Sequence, residues 1–393
     1  MKHHASRCGV FGMVAFFLAT TLPLSAQEPK LLHTMTHWPS DSNYHDPVAV
    51  AFSGDSKTLA SAGHWTVRLW DVGEGKQKVL IGFGSGIIQA VAVSRDGKMV
   101  ASSAGGIVKL WDAATGKHKA TLVQDGPPDI IVVRCVRFSA DGKLLAAAGS
   151  GKTILLWDVA SQVQVQTKRD EQIRLAQEAM AMKEKEKVNS ERIVQLEKEI
   201  KAEAKPKALL KGHTGGGVLC VAFSSDGKLL ASASEDATVK LWEVATGKEK
   251  ATLEHKGRVT SVALSSDGKT LASDGGLESS FMRLRLWDIT TGKEKAKLKP
   301  DAPYGWSVHT VAFSSDGRTV ASATDGTFVS LWDVGSGKQI GTLKKGWPDA
   351  GVGIGRPSTV AFTADLKLLA VGVGGEAGKV YLWEMPSPKK ADE

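Results

Sequence analysis

An all-β fold, a closed ring of seven four-stranded antiparallel sheets, is predicted by three observations on this 393-residue chain. First, a short apolar strand ending in tryptophan and an acid occurs seven times: Trp70-Asp71, Trp111-Asp112, Trp157-Asp158, Trp242-Glu243, Trp287-Asp288, Trp332-Asp333 and Trp383-Glu384. Second, the tryptophans are spaced by 41, 46, 85, 45, 45 and 51 residues. A period in the forties marks one supersecondary unit copied around a ring or along a stack. Third, turn signals recur in phase with the pairs. Asp-Gly followed by Lys or Arg appears at Asp96, Asp141, Asp226, Asp267 and Asp316, and an outer Thr/Ser-Gly-Lys turn at Thr115, Thr291 and Ser336.

The fourth copy, Gly217 to Leu253, shows the unit. Val218–Ser224 reads as a first strand, and Ser225-Asp226-Gly227-Lys228 as a tight turn whose Asp-Gly supplies the positive φ angles of a two-residue hairpin. Leu229–Ser234 and Thr238–Val244 follow as second and third strands. Thr246-Gly247 turns the chain again, and Lys250–Leu253 is the outer strand. First strands such as Val48–Phe52 mix large and small apolar residues with no charged face. A strand apolar on both sides is buried on both sides, as in blades packed around an axis.

These repeats resemble the WD-repeat family, whose sequence mark is this dipeptide after the third strand. The resemblance covers roughly residues 30–385 apart from one insertion, and it implies a seven-bladed β-propeller occupying 27–393. The last copy lacks a fourth strand, because Met385-Pro386-Ser387-Pro388 cannot pair regularly. Residues 30–36 (KLLHTMT) form an orphan strand that is expected to complete the seventh blade and so remove exposed edges. The family's bracing network joins a Gly-His histidine, a second-strand serine, a turn aspartate and the tryptophan. The resemblance carries all four onto His213, Ser232, Asp236 and Trp242. Blade 5 keeps His255 but has a longer turn, Asp274–Phe281. Blade 6 has Asp325 without the histidine. Trp38, Phe83 and Trp347 stand near the histidine slot in other blades.

Two segments are not repeat. Residues 1–26 have a basic start (Lys2, Arg7), a short apolar run from Val10 to Leu24, and Ser25-Ala26 before polar Gln27-Glu28. This is the pattern of a secretory signal, and export to the periplasm or medium follows from it; an uncleaved segment would instead anchor the chain. The run is too short for a comfortable membrane span. The 85-residue gap leaves an insertion over 163–206, dense in Lys, Glu, Gln and Ala, which is helical composition. Its ends replace a hairpin turn of blade 3 and must lie close together. A helical hairpin bending near Val188-Asn189-Ser190 satisfies this, with Ile173, Ala176 and Met180 on one helix and Ile193, Leu196 and Ile200 on the other. Its apolar stripe is thin, so the arm is read either as a solvated charged insertion or as an element for a second partner, or a second copy of a ring otherwise monomeric, on the opposite face.

The formal charge of +8 falls to +6 without Lys2 and Arg7. Much of the surplus lies in turn lysines such as Lys117 and Lys248, and no arginine patch interleaved with aromatics favours nucleic acid. Cys135 and Cys220 occupy equivalent positions in adjacent first strands. They should point the same way round the ring, as two buried free thiols whose side chains do not face each other. No Cys-x-x-Cys pair, His-Glu-x-x-His, phosphate loop or Gly-x-Ser-x-Gly elbow occurs. Neither catalytic residues nor cofactor or metal ligands are therefore assigned. His37 and His45 near Asp41 and Asp46 are more simply a solvated loop than a metal cluster.

The function expected is a non-catalytic scaffold that binds a protein or peptide. Four tryptophans lie outside the pairs, Trp38, Trp65, Trp306 and Trp347, and with Tyr44 and Tyr304 they fall in connections on one face. Aromatic residues are favoured interface anchors, and long loops tend to be functional. Trp306 and Tyr304 are the stronger candidates, since Trp38 and Trp347 could pack in histidine slots. The competing class is an enzyme, or a small-ligand protein of the cell envelope, with its site at the channel mouth.

Overall fold

The computed structural model describes residues 29–37, 49–84, 86–122, 132–181, 186–203, 205–278, 281–298, 308–324, 328–343, 357–365, 367–374 and 378–385. Seven four-stranded antiparallel sheets account for all the described strands. Six of them take their four strands consecutively. The seventh is composite: Lys30–Thr36 pairs with Lys379–Glu384, with Met35 opposite Val380 and Thr34 opposite Tyr381. Met35 is buried against Val50, Trp70 and Leu382, so the closing strand is packed as well as hydrogen-bonded. First strands of successive blades touch one another, including those of blades 7 and 1, and therefore form the inner wall.

Second strands are almost wholly buried. Leu229–Ser234, Leu144–Gly149 and Thr58–Gly63 each have five buried residues in succession. Their alanines and serines let neighbouring sheets approach closely, while leucines and tryptophans fill the wider outer space. Trp157, Trp242, Trp332 and Trp383 are each 1 % exposed. Burying an indole of this size removes about 200 Å² from water, roughly 5 kcal/mol before the entropy cost.

The inner turns differ from the two-residue hairpin expected. In blade 4 the Ser224 amide bonds Leu229 O at 2.9 Å, which leaves four residues in the loop. Among them the positive φ belongs to Gly227, at 69°. The aspartate has another task. Asp226 Oδ1 accepts the Ser224 hydroxyl at 2.6 Å and the Lys228 amide at 3.0 Å, and Ser224 Oγ in turn accepts the Leu229 amide. The same clasp recurs from Ser53–Asp55 round to Thr363–Asp365. These bonds favour the ionised carboxylate.

The acid of the Trp-acid pair explains where the insertion begins. Asp112 Oδ1 accepts the Thr115 amide at 2.9 Å, and Gly116, at φ 70°, then turns the chain. Asp288 and Asp333 bond Thr291 and Ser336 in the same way. In blade 3, Asp158 Oδ1 accepts the Ser161 amide at 2.9 Å, but the glycine position holds Gln162. Without a residue suited to positive φ the chain continues as helix, and Asp158 becomes its N-cap. Helix α1 therefore runs Val159–Ala181, four residues earlier than the expected start, and α2 runs Glu186–Glu203. Val188–Ser190, the expected bend, lies inside α2 instead; α1 ends at Ala181 and α2 begins at Glu186.

The arm also sits elsewhere than expected. The Gln166 amide oxygen accepts the Thr121 amide at 3.3 Å, and Arg169 Nη1 donates to Thr121 O at 3.2 Å. Thr121 belongs to the outer strand of blade 2, His118–Leu122. Helix α1 thus lies along the rim, covering a free strand edge, rather than projecting from the opposite face. Its buried contacts are Val159, Gln162 and Val165 at the base, while Ile173 is 56 % exposed. Leu196 of α2 is fully buried, and Lys168–Glu199 (3.0 Å) and Arg192–Glu171 (3.3 Å) join the helices.

Candidate functional site

The bracing network is built from strand register. In blade 4, Leu230 pairs with Trp242, so Ser232 lies two residues along on the same face. The Trp242 indole can only donate, and it reaches Ser232 Oγ at 2.8 Å. His213 Nε2 is 2.7 Å from the same oxygen, and Nδ1 is 2.8 Å from Asp236 Oδ2. This pattern fits a neutral ring that donates from Nδ1 to the carboxylate and accepts the serine hydroxyl at Nε2. Burial, only partly countered by Asp236, holds His213 below the usual histidine range. Gly212 is required beside it, because a Cβ there would come within 2.9 Å of the Trp242 ring.

Other blades use parts of this set. In blade 1 the slot is filled by His37, not Trp38: His37 Nδ1 is 2.8 Å from Ser61 Oγ, which also accepts the Trp70 indole at 2.7 Å. In blade 5, His255 Nε2 is 2.8 Å from Ser273 Oγ, which accepts Trp287 at 3.0 Å. Burial lowers both His37 and His255 to about 4. Among the described residues, blades 2 and 6 show only the serine–indole bond, Ser102–Trp111 and Ser322–Trp332. Phe83 fills the slot of blade 2, buried, with the Lys109 ammonium 4.6 Å from its ring centroid. Trp347 and Asp325 lie outside the described residues, as do His45, Asp41 and Asp46.

Blades 3 and 7 place Ala147 and Val371 where the serine should stand. The indole nitrogens of Trp157 and Trp383 accordingly have no hydrogen-bond partner among the described residues. Ala147→Ser is expected to supply the missing acceptor, as Ser322 does without any histidine. The gain should be about 1 kcal/mol, a rise of roughly 1–2 °C in thermal melting for a ring of this size. An unchanged or lower melting temperature would contradict the assignment.

Sequence reasoning missed Asp274. This aspartate is fully buried in the middle of the second strand of blade 5, Thr270–Glu278. Oδ1 accepts the amides of Thr260 (2.8 Å) and Ser261 (3.0 Å), and Oδ2 accepts the Thr260 hydroxyl at 2.8 Å. Thr260 Oγ1 reaches on to Val308 O of blade 6, and Ser261 Oγ accepts the Val311 amide at 3.0 Å. Burial pushes the Asp274 carboxyl up to about 6 despite these donors. Its signal in the sequence is an acid in a second strand where the other blades have the small residues Ala62, Ser103, Ala148, Ala233, Ala323 and Gly372.

On the loop-rich face Trp65 is the described candidate. It is 49 % exposed on the turn between the second and third strands of blade 1, with the His64 ring beside it, tilted by 41° at 4.1 Å between ring centroids. The turn is fastened to blade 2 by the Phe83 amide on Trp65 O (2.8 Å) and the Ile88 amide on His64 O (2.6 Å). Exposed Ile87 and Ile107 lie at the same end of blade 2. Tyr44, Trp38, Tyr304, Trp306 and Trp347 fall outside the described residues. Among the described residues no group of three or more His, Cys, Asp or Glu is arranged to hold a metal ion, and no helix is long and apolar enough to cross a membrane.

The inner wall has one irregularity. At the first-strand position paired with a second-strand alanine, blades 1, 2, 4, 5, 6 and 7 carry Ala51, Ala92, Ala222, Ala263, Ala312 and Ala361; blade 3 carries Arg137, which is exposed. Cys135 and Cys220, expected to point past each other, are free and buried, yet both sulfurs approach Val221 O, at 3.7 and 3.9 Å. Both do point forward round the ring, Cys135 to Val221 and Cys220 to Val262; near the axis adjacent first strands are close enough for both sulfurs to converge on one carbonyl.

A ring of seven four-stranded blades, each closed by a Trp-acid strand and several braced through serine and histidine, defines a repeat propeller. The family model of the WD domain, G-beta repeat, matches residues 31–71, 75–112, 118–158, 204–243, 247–280 and 298–333, more than half of the chain, which therefore belongs to the WD40 repeat family. The seventh copy has the same strands without such a match. The chain is 34 % identical to a chromatin assembly factor 1 subunit from mouse (Mus musculus) over 128 residues, 32 % of this chain and 18 % of that protein. It is 51 % identical over 53 residues, 14 % of this chain and 11 % of the other, to the WD repeat, SAM and U-box domain-containing protein 1 of Danio rerio. It is 49 % identical over 45 residues, 12 % and 6 % respectively, to the probable E3 ubiquitin ligase complex SCF subunit sconB of Arthroderma benhamiae. The chain thus spans less than a fifth of the length of these relatives.

Proposed function

We propose that this propeller is a non-catalytic interaction scaffold that presents its loop-rich face to a protein or peptide. The observation that carries the reading is Trp65: a large aromatic side chain half open to solvent on a turn that two backbone bonds hold rigid. A pre-ordered aromatic loses little entropy on binding and is favoured as an anchor. Ile87 and Ile107 extend the apolar surface, and Tyr304, Trp306, Trp347, Trp38 and Tyr44 are proposed to contribute from neighbouring loops. Relatives named as subunits of an assembly factor and of a ubiquitin ligase complex support a role inside complexes. The amino-terminal segment supports export, with the ring acting in the periplasm or outside the cell.

A photo-crosslinking residue at position 65, compared with one at position 225 on the opposite face, tests both parts in the exported fraction. Position 65 is expected to capture a discrete protein that position 225 does not. Trp65→Ala should weaken that complex by about tenfold or more with no change in melting temperature, since the side chain is half-exposed. Equal capture at both positions would defeat the docking face, and absence of the chain from the exported fraction would defeat the location.

A further inference from the structure

We propose that Cys135 and Cys220 are an oxidative modification site on the channel wall, where a small peroxide converts the two thiols into a disulfide joining blades 3 and 4. The geometry sets up the two roles. Cys135 Sγ accepts the Val221 amide at 3.3 Å, and Cys220 Sγ approaches Val221 O and Val262 O at 3.9 and 3.7 Å. Arg137, the lone departure from six alanines, lies two residues along and donates through Nη1 to Val136 O at 2.8 Å. An amide donor and a nearby guanidinium favour a thiolate at Cys135.

The electrostatics agree with this division. Contact with the Cys220 thiol, followed by the Arg137 charge, lowers Cys135 in spite of its burial. The same contact, together with burial and the neighbouring sulfur's charge, holds Cys220 well above the usual range. One sulfur is therefore the nucleophile and the other the resolving thiol. A soft metal cation is a poorer occupant, because Arg137 already places a positive charge beside the sulfurs.

The chemistry balances. The Cys135 thiolate attacks one peroxide oxygen, the O–O bond breaks, and the departing hydroxide takes a proton to give water and a sulfenic acid. Cys220 sulfur then attacks Cys135 sulfur, the S–O bond breaks, and a second water leaves with the Cys220 proton. Two thiols are oxidised to one disulfide and one peroxide is reduced to two waters. A packing role alone does not need the pair, since Ser261 caps the Val311 amide at the equivalent place in blade 5.

The test uses the full chain with Cys8→Ser, treated with hydrogen peroxide while folded, quenched in acid and digested without reductant. The expected product is a peptide pair joined through Cys135 and Cys220, with both thiols recovered on reduction and a melting temperature raised by a few degrees. Cys220→Ser should stop at a sulfenic acid on Cys135 that dimedone traps. Arg137→Ala should slow the reaction by about tenfold. Cys135→Ser, which keeps the amide acceptor, should melt normally and leave Cys220 unreacted. Thiols that stay fully alkylatable after peroxide treatment, oxidation of Cys220 in the Cys135→Ser chain, or disulfides formed only between chains would each overturn the proposal.

Discussion

Asp274→Ala is expected to destabilise the ring by about 3 kcal/mol, whereas Asp274→Asn should fall within about 1 kcal/mol of the parent. The carboxylate satisfies the amides of Thr260 and Ser261 and the Thr260 hydroxyl inside the wall between blades 5 and 6. Alanine strands these buried donors. Asparagine keeps one oxygen for the two amides and turns its NH₂ to donate to Thr260 Oγ1, removing the buried charge at the same time. Equilibrium unfolding in urea at neutral pH separates the two variants. An alanine variant as stable as the asparagine one would show that water replaces the clasp, and that Asp274 does not hold the blades together.

The second large effect is acid sensitivity between pH 6.5 and 4. His37 and His255 are neutral in the fold, each lowered by burial from 6.5 to about 4. Their unfolded forms take up protons first as the pH falls, so the stability they contribute is complete above 6.5 and is lost on the way down to about 4. Each carries on the order of 3 kcal/mol. His213, also lowered, adds in the same direction. Asp274 opposes them: its folded value of about 6 lies above its unfolded 3.8, so acidification through that interval relieves the cost of a buried charge. One group against two or more leaves a net loss of roughly 3 kcal/mol at pH 4. The clasp aspartates lie lower still. Asp55, Asp96, Asp141, Asp226 and Asp267 are held below the ordinary range by their serine partners, so their contribution is lost only beneath about pH 4. Thermal melting from pH 7.5 to 4 should show the slope, and His37→Asn with His255→Gln, which keep the serine contacts, should flatten it. A parent curve that is flat over this range would refute the buried neutral histidines.

The residues of the proposed docking face divide between the two sources of information. Trp65 is legible as an aromatic outside the repeat grammar, and the structure leaves it half-exposed. Trp38 and Phe83 looked alike in sequence, each near a missing histidine. Phe83 does fill the slot of blade 2, whereas His37 fills that of blade 1, one residue before the tryptophan. A one-residue difference at the end of a strand reverses which side chain faces inward, and no local pattern records it.

By itself the sequence determined the number of blades, the order of strands within each, and the strand that closes the ring, because these depend on turn residues and apolar runs a few positions apart. It determined the existence of a helical insertion for the same reason: Gln162 stands where the turn needs glycine. The tertiary structure decided what meets across blades. The arm lying along the rim, Asp274 gripping Thr260, and the two thiols converging on Val221 all join residues whose separation along the chain carries no periodic signal. Such contacts arise only once the first strands are drawn together around the axis, where ring closure, and not any local preference, sets the distances.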